Sequence, residues 1–503
     1  MYLLAHDLGT SGDKATLFHE DGTLLKSVVA DYPTYYGIHG EAEQEPQELW
    51  AAVCQATRQV TADISPKEIA AVAFTGTQNG CICLDKDGNP LRRAIIWADV
   101  RADKQADEFA AAYGGVEACH QRTGKRPSAS FSLAKFMWVR ENEPEIYAKT
   151  ACMLQTKDYI VYRLTGRLAT DYSDASSTQA YDIANRCWAE DVIRAAGLDM
   201  EKFPEICEGA AVIGHCTQSA SQETGLAEGT PIVLGAGDGT TCNLGAGGQE
   251  EGAVTINLGT SAFLAYTTRE PVSDVRLSSW NTIERDLLII TGTMQSFGGA
   301  ISWMKNNLCR LEKQQAAQTG EDVFSLINGE IMQSPPGANG LLFLPYLQGE
   351  REPHWDANAR GVFLGLTMQH SHRDMMRAVF EGVALNMGLI YQIFKANYSM
   401  PDSIIIGGGG ANSPLIQQIL ADVLQAEILV PDITGEIGSY GAAVAAGYAV
   451  GIYPDLLQAR RFIKIGQRVE PIAENAKRYE NIIGVFGESY QALKPIFPKL
   501  SLA

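Results

Sequence analysis

The 503 residues exceed what one ordinary hydrophobic core can organise, and a hydrophobic content of 46% is enough for two large domains or three smaller ones. A formal net charge of −19, with no basic cluster beyond pairs such as Arg92-Arg93 and Arg460-Arg461, excludes a surface built for nucleic acid or an anionic membrane. Ten unevenly spaced cysteines point to neither a disulfide framework nor a zinc knuckle, and without a charged leader or a long apolar run the expectation is a soluble, cytoplasmic protein.

The chain opens on an apolar strand, YLLAHDL, followed by the turn Gly9-Thr10-Ser11-Gly12 and a second strand, KATLF. Strand, glycine-hydroxyl turn, strand is a hairpin that can offer backbone N–H groups and hydroxyls to a phosphate. It is not a P-loop, which would run on into a helix and end in GK[ST]. The strand AAVAFTG ends in Thr77, Gln78, Asn79 and Gly80, and the strand AIIW ends near Asp99 and Arg101. Polar groups at the ends of buried strands are candidates for binding a hydroxylated ligand, with a structural turn as the alternative. Residues 109–147 read as mostly helical, with Trp138 in the core.

Next comes the apolar strand Thr230 to Leu234 and then GAGDGTTCNLGAG, which isolates Asp238 among glycines and small hydroxyl residues in a loop past a strand's carboxyl end. Taken alone, such an Asp more often caps the following element than performs chemistry. The word LGTS then returns, at Leu258 to Ser261 after its first use at Leu8 to Ser11, again between two apolar strands. This suggests two related domains with similar phosphate-gripping hairpins. A glycine-initiated helix is expected near Gly298 and Gly299, a long amphipathic helix over residues 373–395, and a strand, glycine loop, helix junction at Gly407 to Pro414. That junction fails the dinucleotide-binding pattern, and the small-residue helix GSYGAAVAAGYAVGIY suits close packing.

These features together resemble the FGGY carbohydrate kinases, and within that family the xylulokinases. SFSLAKFMWVREN (130–142) and GVFLGLTMQHSHRDMMRAVFE (361–381) fit the two family signatures. HDLGTSGDKATLF and INLGTSAFL fit the phosphate hairpins, GGGG the adenosine site and GAGDGTT the catalytic segment. The resemblance implies an α/β fold of two actin-like (ribonuclease H-like) ATPase domains flanking a central cleft. An N-terminal domain over 1–247 would carry the sugar site and catalytic Asp, and a C-terminal domain over 248–503 the ATP site.

It further implies transfer of the γ-phosphoryl group of ATP to a sugar hydroxyl, D-xylulose giving D-xylulose 5-phosphate, with Mg2+ as cofactor and a homodimer as the assembly. Asp238 would be the general base and Asp7 would hold magnesium. Thr10, Ser11, Lys14, Gly259, Thr260, Ser261, Gly298, Gly408, Gly409 and Asn412 would contact ATP. Thr77, Gln78, Asn79, Gly80 and Asp99 would join Asp238 around the sugar. Asn79 stands where a xylulokinase is expected to carry a histidine, so ribulose, a sugar acid such as gluconate, and a tetritol are the alternative substrates. An actin-like ATPase without a sugar is the more distant reading.

Overall fold

The computed structural model describes residues 1–38, 40–432 and 435–500. The chain forms two compact units, one of Met1–Glu251, Thr267–Ile290 and Glu436–Ile463, the other of Gly252–Tyr266, Thr291–Gly435 and Lys464–Ala503. A single cut after residue 247 misses the two returns of the chain to the first unit.

The first unit is organised on a six-stranded sheet. The strands β1 (Tyr2–Leu8), β2 (Gly12–His19) and β3 (Leu24–Asp31) make an antiparallel meander. On the other side of β1 lie β4 (Ile69–Gly76), β5 (Val212–His215) and β6 (Pro231–Gly237). β4 and β6 run parallel to β1, whereas β5 closes the edge antiparallel, giving the order β5-β6-β4-β1-β2-β3. The central strands are mostly apolar because helices cover both their faces; β3, at the edge, mostly alternates between more and less exposed residues.

On one face, Leu4, Leu8, Phe74 and Ile232 pack with Leu49, Trp50 and Val53 of the Pro46–Val60 helix and with Tyr159 and Ile160 of the Thr156–Thr165 helix. On the other, Leu3, Ala5, Ala71, Ala73 and Val233 pack with Ala442, Ala443 and Ala446 of the Ile437–Ala449 helix. That last helix returns to the first unit because its small residues let it lie against a second helix, Asp238–Gly245. A Cβ on Gly441 would overlap the Thr241 carbonyl oxygen, and one on Gly245 the Ile437 carbonyl oxygen.

A second sheet has seven strands, Ser278–Asn281 at one edge and then β7 (Val254–Leu258), β8 (Ala262–Thr268), β9 (Leu288–Met294), β10 (Ser403–Gly407), β11 (Glu427–Pro431) and β12 (Ile465–Val469) in the order β9-β8-β7-β10-β11-β12, so that β9-β8-β7-β10-β11 repeats β3-β2-β1-β4-β6. β7 pairs antiparallel with β8 and parallel with β10, as β1 does with β2 and β4. The repeated LGTS therefore marks a repeated piece of architecture.

The long helix expected over residues 373–395 spans His372–Asn397 and opens with a Ser371/Asp374 capping box. Its buried face carries Met376, Val379, Phe380, Val383, Met387 and Ile390. All ten cysteines are free thiols. Among the described residues no helix is long and apolar enough to cross a membrane.

Candidate active site

Register brings the first group of candidate residues together. Leu8 of β1 faces Gly76 of β4, and Gly76 faces Gly237 of β6, so three parallel strands end in line. Asp7, Thr77 and Asp238 thus occupy neighbouring carboxyl ends, where the polypeptide leaves a sheet and side chains are free to meet a ligand.

Asp238 is not in a loop, as its glycine-rich surroundings suggested. It is the first residue of the Asp238–Gly245 helix, which follows β6 directly. Glycine and threonine are poor helix formers, and this helix stands because they permit its close contact with the Ile437–Ala449 helix. Asp238 Oδ1 accepts from the N–H of Gly239 at 2.6 Å. The side chain keeps access to water, yet the surrounding protein desolvates it and the charge of Asp7 opposes its ionisation, so its pKa is raised to about 7.

Asp7, next to last in β1, is likewise desolvated and raised to about 6, although Lys14 works against the shift. Lys14 Nζ lies 3.8 Å from Asp7 Oδ2 and 3.0 Å from Glu436 Oε2. Two desolvated oxygen-donor carboxylates are of the chemistry that could hold a hard divalent cation.

The hairpin turn after β1 is held from behind. Its Gly9 N–H donates to the Gly12 carbonyl at 3.0 Å, Tyr32 Oη donates to the Gly9 carbonyl at 2.5 Å, and Gln44 Nε2 donates to the Thr10 carbonyl at 2.7 Å. Thr10 Oγ1 accepts from Trp97 Nε1 at 3.1 Å, which leaves its own proton for a ligand oxygen, and Ser11 is exposed.

At the end of β4, Thr77, Gln78 and Asn79 are half-buried. Asn79 takes a left-handed backbone (φ 66°), its carbonyl accepts from Lys135 Nζ at 2.7 Å, and its buried Oδ1 has no hydrogen-bond partner. Gly80 is pinned through its carbonyl by Ser132 Oγ at 2.7 Å. Lys135 and Ser132 belong to the signature segment 130–142, whose task here is to fix the loop that carries Asn79.

Asp99 departs from its expected part as a sugar ligand. It is fully buried, and its oxygens accept from the Ala42 N–H at 2.7 Å and from Arg101 Nε and Nη2 at 2.9 and 2.7 Å. A carboxylate so occupied braces the segment and offers nothing to a ligand.

The second group lies in the second unit. The Gly259–Thr260–Ser261 turn between β7 and β8 is exposed and gripped by the start of the Gly298–Asn307 helix: Phe297 and Gly299 N–H donate to the Thr260 carbonyl and Gly298 N–H to that of Gly259, at 2.9 to 3.1 Å. A Cβ on Gly298 would come within 2.6 Å of that Gly259 oxygen. Gly408, after β10, has φ +83°, and a Cβ there would lie 2.5 Å from Asn257 Oδ1 and 2.7 Å from the Leu258 carbonyl. Gly409 faces open space, Asn412 is exposed, and Ser413 caps the Pro414–Leu424 helix through Ile416 N–H. Bare backbone next to a helix start suits a flat ring and phosphates.

Sequence reasoning missed Glu436, the partner of Lys14, and also Lys157, Asp171, Ser173 and Asp174. For the last four, the only signal was polarity inside buried segments.

Comparison with known proteins identifies the family. Residues 2–245 match the N-terminal domain of the FGGY family of carbohydrate kinases, and residues 254–450 match its C-terminal domain. A gluconokinase of Bacillus subtilis is 30% identical over 491 residues, covering 96% of this chain and 94% of its own. A xylulose kinase of Staphylococcus epidermidis is 30% identical over 501 residues, with 98% and 97% covered. The crystal structure of a ligand-bound xylulose kinase from Lactobacillus acidophilus superposes with a TM-score of 0.92 at 26% identity, over 99% of each chain. With the duplicated α/β architecture of actin-like ATPases and both family domains along its length, this chain belongs to the FGGY family of carbohydrate kinases, enzymes that phosphorylate sugars with ATP.

Proposed function

We propose that the protein phosphorylates D-xylulose to D-xylulose 5-phosphate, with Asp238 as general base and magnesium held by Asp7. The observation that carries the reading is the pair of desolvated carboxylates, Asp7 and Asp238, at the ends of neighbouring parallel strands. Phosphoryl transfer leaves a protein little covalent work: the hydroxyl must be aligned with the γ-phosphorus, and charge on the equatorial oxygens must be met. Asp238 aligns the hydroxyl and takes its proton, and with a pKa of about 7 it holds that proton weakly enough to release it at neutral pH. Bound magnesium would neutralise phosphate charge. Thr10, Ser11 and Lys14 in the first unit and Gly259, Thr260, Ser261, Gly298, Gly408, Gly409 and Asn412 in the second are the groups we assign to ATP. Thr77, Gln78, Asn79 and Gly80 are assigned to the sugar.

ADP release over a panel of ketopentoses, aldoses, polyols and sugar acids tests the substrate. A tenfold or greater preference in kcat/KM for a compound other than D-xylulose overturns it. Asp238→Asn tests the base: a loss of about 100-fold or more is expected, with ATP still bound. Retention of most of the turnover removes Asp238 from that part.

A further inference from the structure

Behind the end of β4 lies a buried charged centre. Lys157 is fully buried, and its Nζ lies 2.6 Å from Asp158 Oδ1, 2.9 Å from Asp171 Oδ2 and 3.3 Å from Asp174 Oδ2. The ammonium occupies the middle of the three carboxylates, and because one positive charge offsets only one of them, burial pushes the carboxyls of Asp158 and Asp174 above the usual carboxylate range.

Two of the three reach the active site. Asp171 Oδ1 accepts from the N–H of Ser173 at 2.7 Å and from its hydroxyl at 2.5 Å, capping the Tyr172–Ser177 helix. Ser173 Oγ in turn accepts from the N–H of Gly237, the residue before Asp238, at 2.9 Å. Gln78 Nε2 donates to the Ser173 carbonyl at 3.1 Å and to Asp174 Oδ1 at 3.2 Å. A carbonyl can only accept, so the nitrogen of this amide must face the helix, and Oε1 is the end left for a ligand. The amide also lies against Gly237, where any Cβ would overlap it.

We propose that Lys157, Asp171, Ser173 and Asp174 are positioning residues that fix the Gln78 amide and the Gly237 N–H, and thereby make the sugar end of the site select neutral polyhydroxylated substrates over sugar acids. The inference rests on the kinase reading above. Gln78 Oε1, the unpartnered Asn79 Oδ1 and the carboxylate of Asp238 are all acceptors. A substrate hydroxyl brings the donors they need, whereas a carboxylate brings none and adds negative charge. The nearby buried cations are engaged: Lys157 with its carboxylates, and Lys135 with the carbonyls of Asn79 and Ser130.

The test compares wild type with Ser173→Ala, Asp174→Ala and Asp174→Asn by steady-state kinetics on D-xylulose and D-gluconate, with ATP KM and thermal melting in parallel. The expected result is a fivefold or greater rise in KM for the neutral sugar in both alanine variants, ATP KM within twofold, and a xylulose-to-gluconate ratio of kcat/KM that narrows at least threefold. Asp174→Asn, which keeps an acceptor for Gln78, should recover more than half of the lost kcat/KM.

A ratio that stays put while only the melting temperature falls overturns the inference and leaves the kinase reading intact. Wild-type preference for gluconate overturns both the inference and the substrate. Preference for ribulose or a tetritol overturns D-xylulose alone. Should Asp174→Ala fail to fold, Ser173→Ala decides.

Discussion

Asp238 shows how far a residue's neighbours in space differ from its neighbours in sequence. Glycines on either side suggest a carboxylate in a loop, yet the folded protein makes it the first residue of a helix, desolvates it and sets Asp7 close by. Its folded pKa of about 7 stands above the usual carboxylate value. A base works only when ionised, so kcat/KM should climb with pH through about 7 and level off above it. A profile already flat from pH 5 would show a carboxylate of ordinary acidity. The linkage has a matching sign: the protonated form favours the fold, so the contribution is complete below pH 3.8 and is lost as pH rises through about 7. Asp238→Asn should therefore melt higher than wild type at pH 8 and level with it at pH 4. Asn79 and Gln78 could be named from their place after an apolar strand, but not the direction in which either amide points. For Gln78 that direction depends on Ser173 and Asp174, nearly a hundred residues away in the chain.

Strands and helices were the more legible scale. Apolar runs such as AAVAFTG announced buried strands, and the Ser413-Pro414 start and the face from Met376 to Ile390 announced helices, because capping and 3.6-residue periodicity are local properties. The Asp238–Gly245 helix was illegible, since its glycines pay off only against a helix two hundred residues downstream. The glycine loop after β10 is a stricter case. Gly408 combines a positive φ with contacts of 2.5 and 2.7 Å to Asn257 and Leu258, so a side chain must displace the loop from the LGTS turn. Gly408→Ala should raise ATP KM about tenfold while changing sugar KM less than twofold, as read by initial rates at varied ATP. Gly409→Ala, with open space around its Cβ, should do much less. Equal effects of the two substitutions would mean that the loop does not hold ATP through its backbone.

Across the whole molecule the same order of five strands occurs twice, and each copy opens with the same hairpin word. Magnesium is assigned to the chemistry rather than to the fold. A chelator in excess should therefore stop ADP release, leave far-ultraviolet circular dichroism unchanged and be reversed by added magnesium. A collapse of the dichroism on chelation would assign the metal to the fold instead. What the sequence by itself determined is the kinase class, the repeat, the helices and strands with strong local periodicity, and the place of Asp238 just past a strand, all carried by contiguous motifs. What only the tertiary structure decided is the environment of that acid, the structural duty of Asp99, the return of residues 436–463 to the first unit, and the charged centre around Lys157. Those features depend on contacts between segments far apart in the chain, and a buried lysine among aspartates has no local pattern from which its partners could be read.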